Sequence, residues 1–308
     1  MINQRKTPAV VFAAILTGLL LLQTATFADE VSRNDTAAEK SLTLVVMDPL
    51  AGPLACDCVQ GYAQRKYEVL GAYLQQKLKR SVKVVWSESL VTAIKENGGK
   101  ADLIIGKHSV VLHDAKVAQL KVQPIAQLTG MDGKVTQTGL IVVRKDDAAK
   151  TAADLGGYRI LFGPKDCDEK HTAPLAMLTK AGVKLPDTIE TAPACSTAAA
   201  QLMELPADVK GAAVISSYAG PLLEGCGTIK KGDLRVIAES EPVPFISAFV
   251  NKSLTKEEIK EVRTALLDVE LNAELLVALE SPEGFKRWKN PEMLQAAPQK
   301  KPAPAKKK

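Results

Sequence analysis

The sequence predicts an α/β protein of two lobes, each a mainly parallel sheet flanked by helices, with a two-segment hinge between them. Two observations predict it. From Ser41 onward short β-branched runs alternate with amphipathic stretches, and parallel strands need crossover connections that are usually helical. The alternation also falls into two series of similar size, and 308 residues suffice for two lobes.

The first series opens with a Leu/Val/Thr strand, 42–47. Tyr67, Leu70, Tyr73, Leu74 and Leu78 then recur at three- and four-residue spacing, the mark of a helix burying one face. A strand at 82–86, a helix near 89–97, a strand at 101–106, a helix or turn from Lys107-His108 and a strand at 122–128 follow. Asp132-Gly133 is a turn pair that separates the series. The second series has a strand at 138–144, and Thr151 with Asp154 reads as a capping box opening a short helix. A strand at 158–162, a helix from about Glu169 to Ala181 and a strand at 188–191 come next. Then come a helix at 197–204, a strand at 212–215, a helix at 218–223 and strands at 234–238 and 245–250. Thr255 with Glu258 is a second capping box, and it starts a long helix expected to reach about Leu279.

The expected organisation is a signal peptide at 1–28, one lobe from 29–137 and 238–290, the other from 138–237, and a disordered basic tail at 291–308. Arg5 and Lys6, an apolar run to Leu22 and the small residues Thr26 and Ala28 carry the first of these. That apolar run is shorter than the roughly 20 residues a spanning helix needs. The formal charge of +5 is concentrated at the ends: residues 1–28 carry +2 and 298–308 carry +5, which leaves the body at −2. A near-neutral body with 4% aromatics argues against a nucleic-acid partner, and the expected state is a soluble, exported monomer.

In open α/β sheets, ligands sit beyond the carboxyl ends of the strands. The loops so selected are 48–61, 87–89, 106–109, 163–171, 193–197 and 216–218. They nominate Asp48, Tyr62 just beyond the first loop, Ser87, Lys107, His108, Cys167, Asp168, Glu169, Ser196, Ser216 and Tyr218 as ligand contacts. Gln137 and Thr138, at the expected hinge, are hydrogen-bonding candidates.

The segments LTLVVMDPL, YEVLGAYLQQKLKRSVKVVW, KADLIIGKHSVV, GLIVVRKDDAAKTAADLGGYRILFG and DLRVIAESEPVPFISAFV, with LTKEEIKEVRTALLDV, resemble in order and spacing the periplasmic phosphonate/phosphite/phosphate-binding proteins of ABC transporters. The resemblance covers roughly 41–269. It implies a flytrap fold closing over a small oxyanion, and a membrane permease as partner. It also implies a run of small hydroxyl residues after the "FG" strand that cradles the oxyanion at a helix start. Here that offset reads from Phe162-Gly163 through Cys167-Asp168-Glu169, so carboxylates replace neutral donors and would repel a dianion.

The five cysteines are Cys56, Cys58, Cys167, Cys195 and Cys226. In an exported protein disulfide stapling is their commoner fate. The alternative is a transition-metal site of Cys56, Cys58, Cys167, Cys195 and His171, because thiolates and imidazoles together suit soft metals. The leading expectation is therefore a solute-binding receptor without a cofactor. A metal or redox protein, and a ligand sensor on the same frame, are the alternatives. No nucleophile elbow, phosphate loop or HExxH motif points to an enzyme.

Overall fold

Strand β1 (Leu42–Met47) is buried at all six residues, which requires helices on both faces of its sheet. The computed structural model describes residues 41–56, 59 and 64–289, all within one compact unit. The signal-peptide and tail assignments lie outside these residues. β1 pairs in parallel with β2 (Val82–Trp86) and β3 (Leu103–Lys107), with α1 (Tyr67–Leu78), α2 (Leu90–Glu96) and α3 (His108–Val117) completing the crossovers. Period-2 alternation divides β1 between two cores. Leu44 and Val46 pack with Tyr67, Leu70 and Leu74 of α1, whereas Val45 and Met47 pack with Leu90 of α2 and Val111 of α3.

β4 (Val122–Leu128) leads to β5 (Thr136–Gln137), which crosses to a second sheet beginning with β6 (Gly139–Arg144) and β7 (Arg159–Leu161). α4 (Thr172–Lys180), α5 (Cys195–Glu204), β8 (Gly211–Ser216), α6 (Ala219–Gly225) and β9 (Leu234–Glu239) complete that lobe. The chain returns through β10 (Val243–Pro244) to β11 (Ile246–Asn251), α7 (Lys256–Leu267), α8 (Ala273–Ala278) and β12 (Phe285–Arg287). β5 and β10 pair antiparallel and carry the chain in both directions between the lobes.

The sheets are mixed rather than mainly parallel. The first has the order β12-β4-β11-β3-β1-β2, with β11, β4 and β12 antiparallel to their neighbours; the second has the order β7-β8-β6-β9, and only β7 and β8 are parallel. The crossing strands explain this. Each return enters a sheet where another strand ends, Ile246 opposite Lys107 and Gly139 opposite Ser216, and must run the opposite way.

Two expected elements differ. The strand at 188–191 is a single bridge, Thr191 to Phe162. The long final helix is broken after Leu267 by a 3-10 turn, and α8 restarts with Asn272 Oδ1 accepting from the Leu275 N–H at 3.1 Å. Both capping boxes form, with the N–H of Thr151 donating to Asp154 and that of Thr255 to Glu258, each at 2.8 Å.

Candidate functional site

The carboxyl ends of β1, β3 and β8 face the same crevice between the lobes. Lys107, the last residue of β3, donates to Glu169 of the opposite lobe, and both are almost fully buried, at 8% and 3% exposure. Glu169 sits in a tight turn that precedes α4 instead of opening it: the N–H groups of Lys170 and His171 both donate to the Cys167 carbonyl, at 3.1 and 2.8 Å. Ser216 Oγ and Cys167 Sγ also donate to the Glu169 carboxylate, at 3.1 and 3.0 Å. Ser109 Oγ accepts from the Asp168 N–H at 3.1 Å, a second polar link between lobes. Tyr218 sits between them, its ring 5.4 Å from Phe245 and packed with Leu222 against Leu50 and Val59.

Burial would raise the Glu169 carboxyl, but the charge of Lys107 outweighs it and holds the group at about 2. Burial opposes the Lys107 charge too, and Glu169 overcomes this, so the ammonium lies well above its ordinary value. Burial pushes the Cys167 thiol up to about 12, which keeps it a thiol.

Two cavities open in the crevice. One, of about 190 Å³, is bounded by Lys107 and Cys56 from the first lobe and by Lys170, Cys195 and Ser196 from the second. The other, of about 820 Å³, runs along the crossing strands and is lined by Arg65, Gln137, Thr138, Ser217 and Glu239. Tyr218 and Leu222 border both.

The nominated residues divide by position. Lys107, Cys167, Glu169 and Ser216 meet in one buried cluster, and Ser196 and Tyr218 line the small cavity. Gln137 and Thr138 line the large one, where Gln137 Oε1 accepts from Ser217 Oγ at 2.5 Å and Thr138 Oγ1 donates to Glu239 at 2.6 Å. Asp48 is wholly internal: Oδ1 accepts from the Leu50 N–H, and Oδ2 from Arg65 at 2.8 Å and Tyr67 at 2.6 Å. Ser87 makes a local turn, donating to the Ser89 carbonyl. Tyr62 and Cys58 lie outside the described residues. Sequence reasoning misses Arg65, which lies past the end of loop 48–61, and Lys170, which lies within the selected loop 163–171 but is passed over there for Cys167, Asp168 and Glu169.

His108 faces away from the crevice. Its Nδ1 is 3.0 Å from Ser247 Oγ, and its ring stacks on Trp288 at 4.6 Å. Burial lowers its pKa to about 4. The folded protein therefore resists a proton that the unfolded chain accepts, and stability falls as pH drops from 6.5 toward 4. The expected loss is about 2–3 kcal/mol. Urea unfolding of wild type and His108→Gln at pH 7 and pH 4.5 should show a smaller difference in the variant; equal differences would remove His108 from that dependence.

His171 Nδ1 is 2.9 Å from the Gly163 carbonyl and its ring lies against Phe162. Cys56, Cys167 and Cys195 are free thiols, and Cys226 Sγ lies 3.0 Å from Thr228 Oγ1. Among the described residues no group of three or more His, Cys, Asp or Glu side chains is placed to hold a metal.

The family model described as "ABC transporter, phosphonate, periplasmic substrate-binding protein" matches residues 60–293. The chain belongs to this family. Its members bind small ligands in the periplasm and work with an ABC permease. Solved structures are similar in fold. XAC2383 from Xanthomonas citri, bound to ATP, has a TM-score of 0.63 at 14% identity, over 83% of this chain and 93% of that one. PhnD1 from Prochlorococcus marinus, in complex with methylphosphonate, has 0.60 at 14%, over 83% and 97%. A binding protein component of an ABC phosphonate transporter (PA3383) from Pseudomonas aeruginosa has 0.60 at 15%, over 83% of each chain. None of the curated proteins matches the chain in sequence. Among the described residues no helix is long and apolar enough to cross a membrane.

Proposed function

We propose that this chain is the ligand-capturing receptor of an ABC uptake system, exported and acting as a soluble monomer, and that it takes a small oxyanion between its lobes. In this reading 41–137 and 240–289 form one lobe and 138–239 the other, the return falling two residues later than expected because Ala238 and Glu239 pair with β6, and β5 and β10 act as the hinge. The observation that carries the reading is the convergence of loops from both sheets on one crevice holding two cavities and buried cations. Closure over a ligand is the state a permease can recognise. Lys107, Ser196, Ser216 and Tyr218 would meet the ligand on one side of Tyr218, and Gln137 and Thr138 on the other. The chain captures and does not convert: the buried Glu169 is committed to Lys107, and His108 and His171 are committed to their own lobes.

A ligand that binds only the folded state must raise the melting temperature. Methylphosphonate, inorganic phosphate and methanesulfonate form the test panel. At a hundredfold excess over Kd the stabilisation is about 2.7 kcal/mol, roughly 5–10 °C for a protein of this size. A flat response to all three would overturn the oxyanion reading.

A further inference from the structure

Resting on that reading and sharpening it, we propose that Lys170 and the N-terminus of α5 form the anion seat, in the 190 Å³ cavity, for a small oxyanion carrying a single negative charge. Lys170 is 6% exposed and borders the cavity; its ammonium makes no hydrogen bond or ion pair among the described residues and acts on Glu169 only through its charge. The side chain is enclosed while its ammonium keeps some contact with solvent, so its charge is only partly screened and an anion in the cavity would be drawn to it.

α5 supplies the second half of the seat. It is ten residues long, and its first turn opens at Cys195 and Ser196 on the cavity wall. Its N-cap is Ala194, which has no side-chain acceptor to offer. The leading N–H groups of a helix lack intrahelical partners and carry the positive end of its dipole. Here they have no acceptor among the described residues, so an oxyanion beside Lys170 would meet donors from two elements at once.

The charge count selects the ligand's charge. Lys107 and Glu169 neutralise each other, and Glu88 is exposed at the rim. That leaves Lys170 as the one unmatched cation of the described cavity wall, enough for one negative charge and not for two. The volume lies below the roughly 300 Å³ at which pockets for drug-sized ligands begin, which suits a head group of a few heavy atoms. In the turn following β7, where the family resemblance expects a run of hydroxyl residues, Glu169 faces Lys107 and the next residue, Lys170, supplies the cation instead.

Calorimetric titration of wild type and Lys170→Met with methanesulfonate, methylphosphonate and sulfate tests this. Loss of a charged hydrogen-bond donor should weaken methanesulfonate about ten- to a hundredfold, Lys170→Arg should retain most of the binding, and methanesulfonate should bind wild type more tightly than sulfate. The melting temperature without ligand should not fall in Lys170→Met, which separates a binding role from a structural one; if that variant fails to fold, Lys170→Gln takes its place. Equal affinity in wild type and variant would overturn the seat while leaving the receptor reading intact. Tighter sulfate binding would overturn the single-charge assignment. If wild type binds none of the probes, the oxyanion reading fails and the seat fails with it.

Discussion

Lys107→Met should destabilise the protein by about 3–5 kcal/mol, the cost of leaving a buried charge without its partner. Glu169 would keep only Ser216 and Cys167 as donors, at 3% exposure. The lobes have a second way to relieve the strain, because opening the crevice returns the carboxylate to water, so the penalty cannot exceed the cost of opening. Urea unfolding and small-angle scattering together capture both responses. An unchanged midpoint with an unchanged radius of gyration would show that the pair does not hold the lobes together. Lys107→Met combined with Glu169→Gln should recover much of the loss, since both charges are then gone; equal losses in the single and double variants would show no coupling. The sign of the pH dependence follows. In wild type the Glu169 carboxyl is depressed from 4.5 to about 2, so its stabilisation is present above pH 4.5 and is lost as pH falls toward 2. In Lys107→Met the largest lowering influence on that carboxyl is gone, and burial then opposes only the weaker pull of Cys167 and Lys170, so the variant should lose less stability than wild type as pH falls.

Gly139→Ala should cost about 3 kcal/mol, at the upper end of what overpacking usually costs. A β-carbon there would lie 1.9 Å from the Glu169 carbonyl oxygen and 2.6 Å from Pro174 Cγ. The nearest atom is backbone, so no rotamer change relieves it; the turn carrying Glu169 must move. Gly139 opens β6 opposite Ser216, and its N–H donates to Ser240 Oγ at 2.8 Å, which prevents the strand from retreating. The turn would carry Glu169 away from Lys107, so the variant should also lose part of the interlobe ion pair. Gly220→Ala is the control: nothing lies within 4 Å of where its β-carbon would stand, and in helix α6 it should be neutral or stabilise by up to about 1 kcal/mol. Equal urea midpoints for Gly139→Ala and wild type would show that the turn does not press on β6.

The elements themselves were legible because their signals are local. Leu70, Leu74 and Leu78 repeat at helical spacing, the β1 residues are uniformly buried, and Thr255 with Glu258 satisfies a helix start from within four residues. The break after Leu267 was not legible, because the apolar pattern continues through it and the restart rests on one asparagine cap. Strand direction was not legible either. Alternating strands and helices say that crossovers exist, but β11 is antiparallel because of where the chain re-enters the sheet, a matter of path and not of residue type.

The site shows the same division. Choosing the loops at strand ends needed only the fold rule, and it put Lys107 and Glu169 on one set of loops. It could not say that Glu169 turns toward Lys107, that Asp48 turns inward to Arg65 and Tyr67, or that His108 turns away to Ser247 and Trp288. Composition, periodicity and order along the chain by themselves determined that this protein is an α/β chain of two lobes resembling one receptor family. Which charges face each other, and which one is left over at Lys170, only the tertiary structure decided. The reason is that pairing energies depend on distance and burial between residues far apart in the chain, Lys107 and Glu169 being 62 positions apart, and no local pattern in a sequence encodes those.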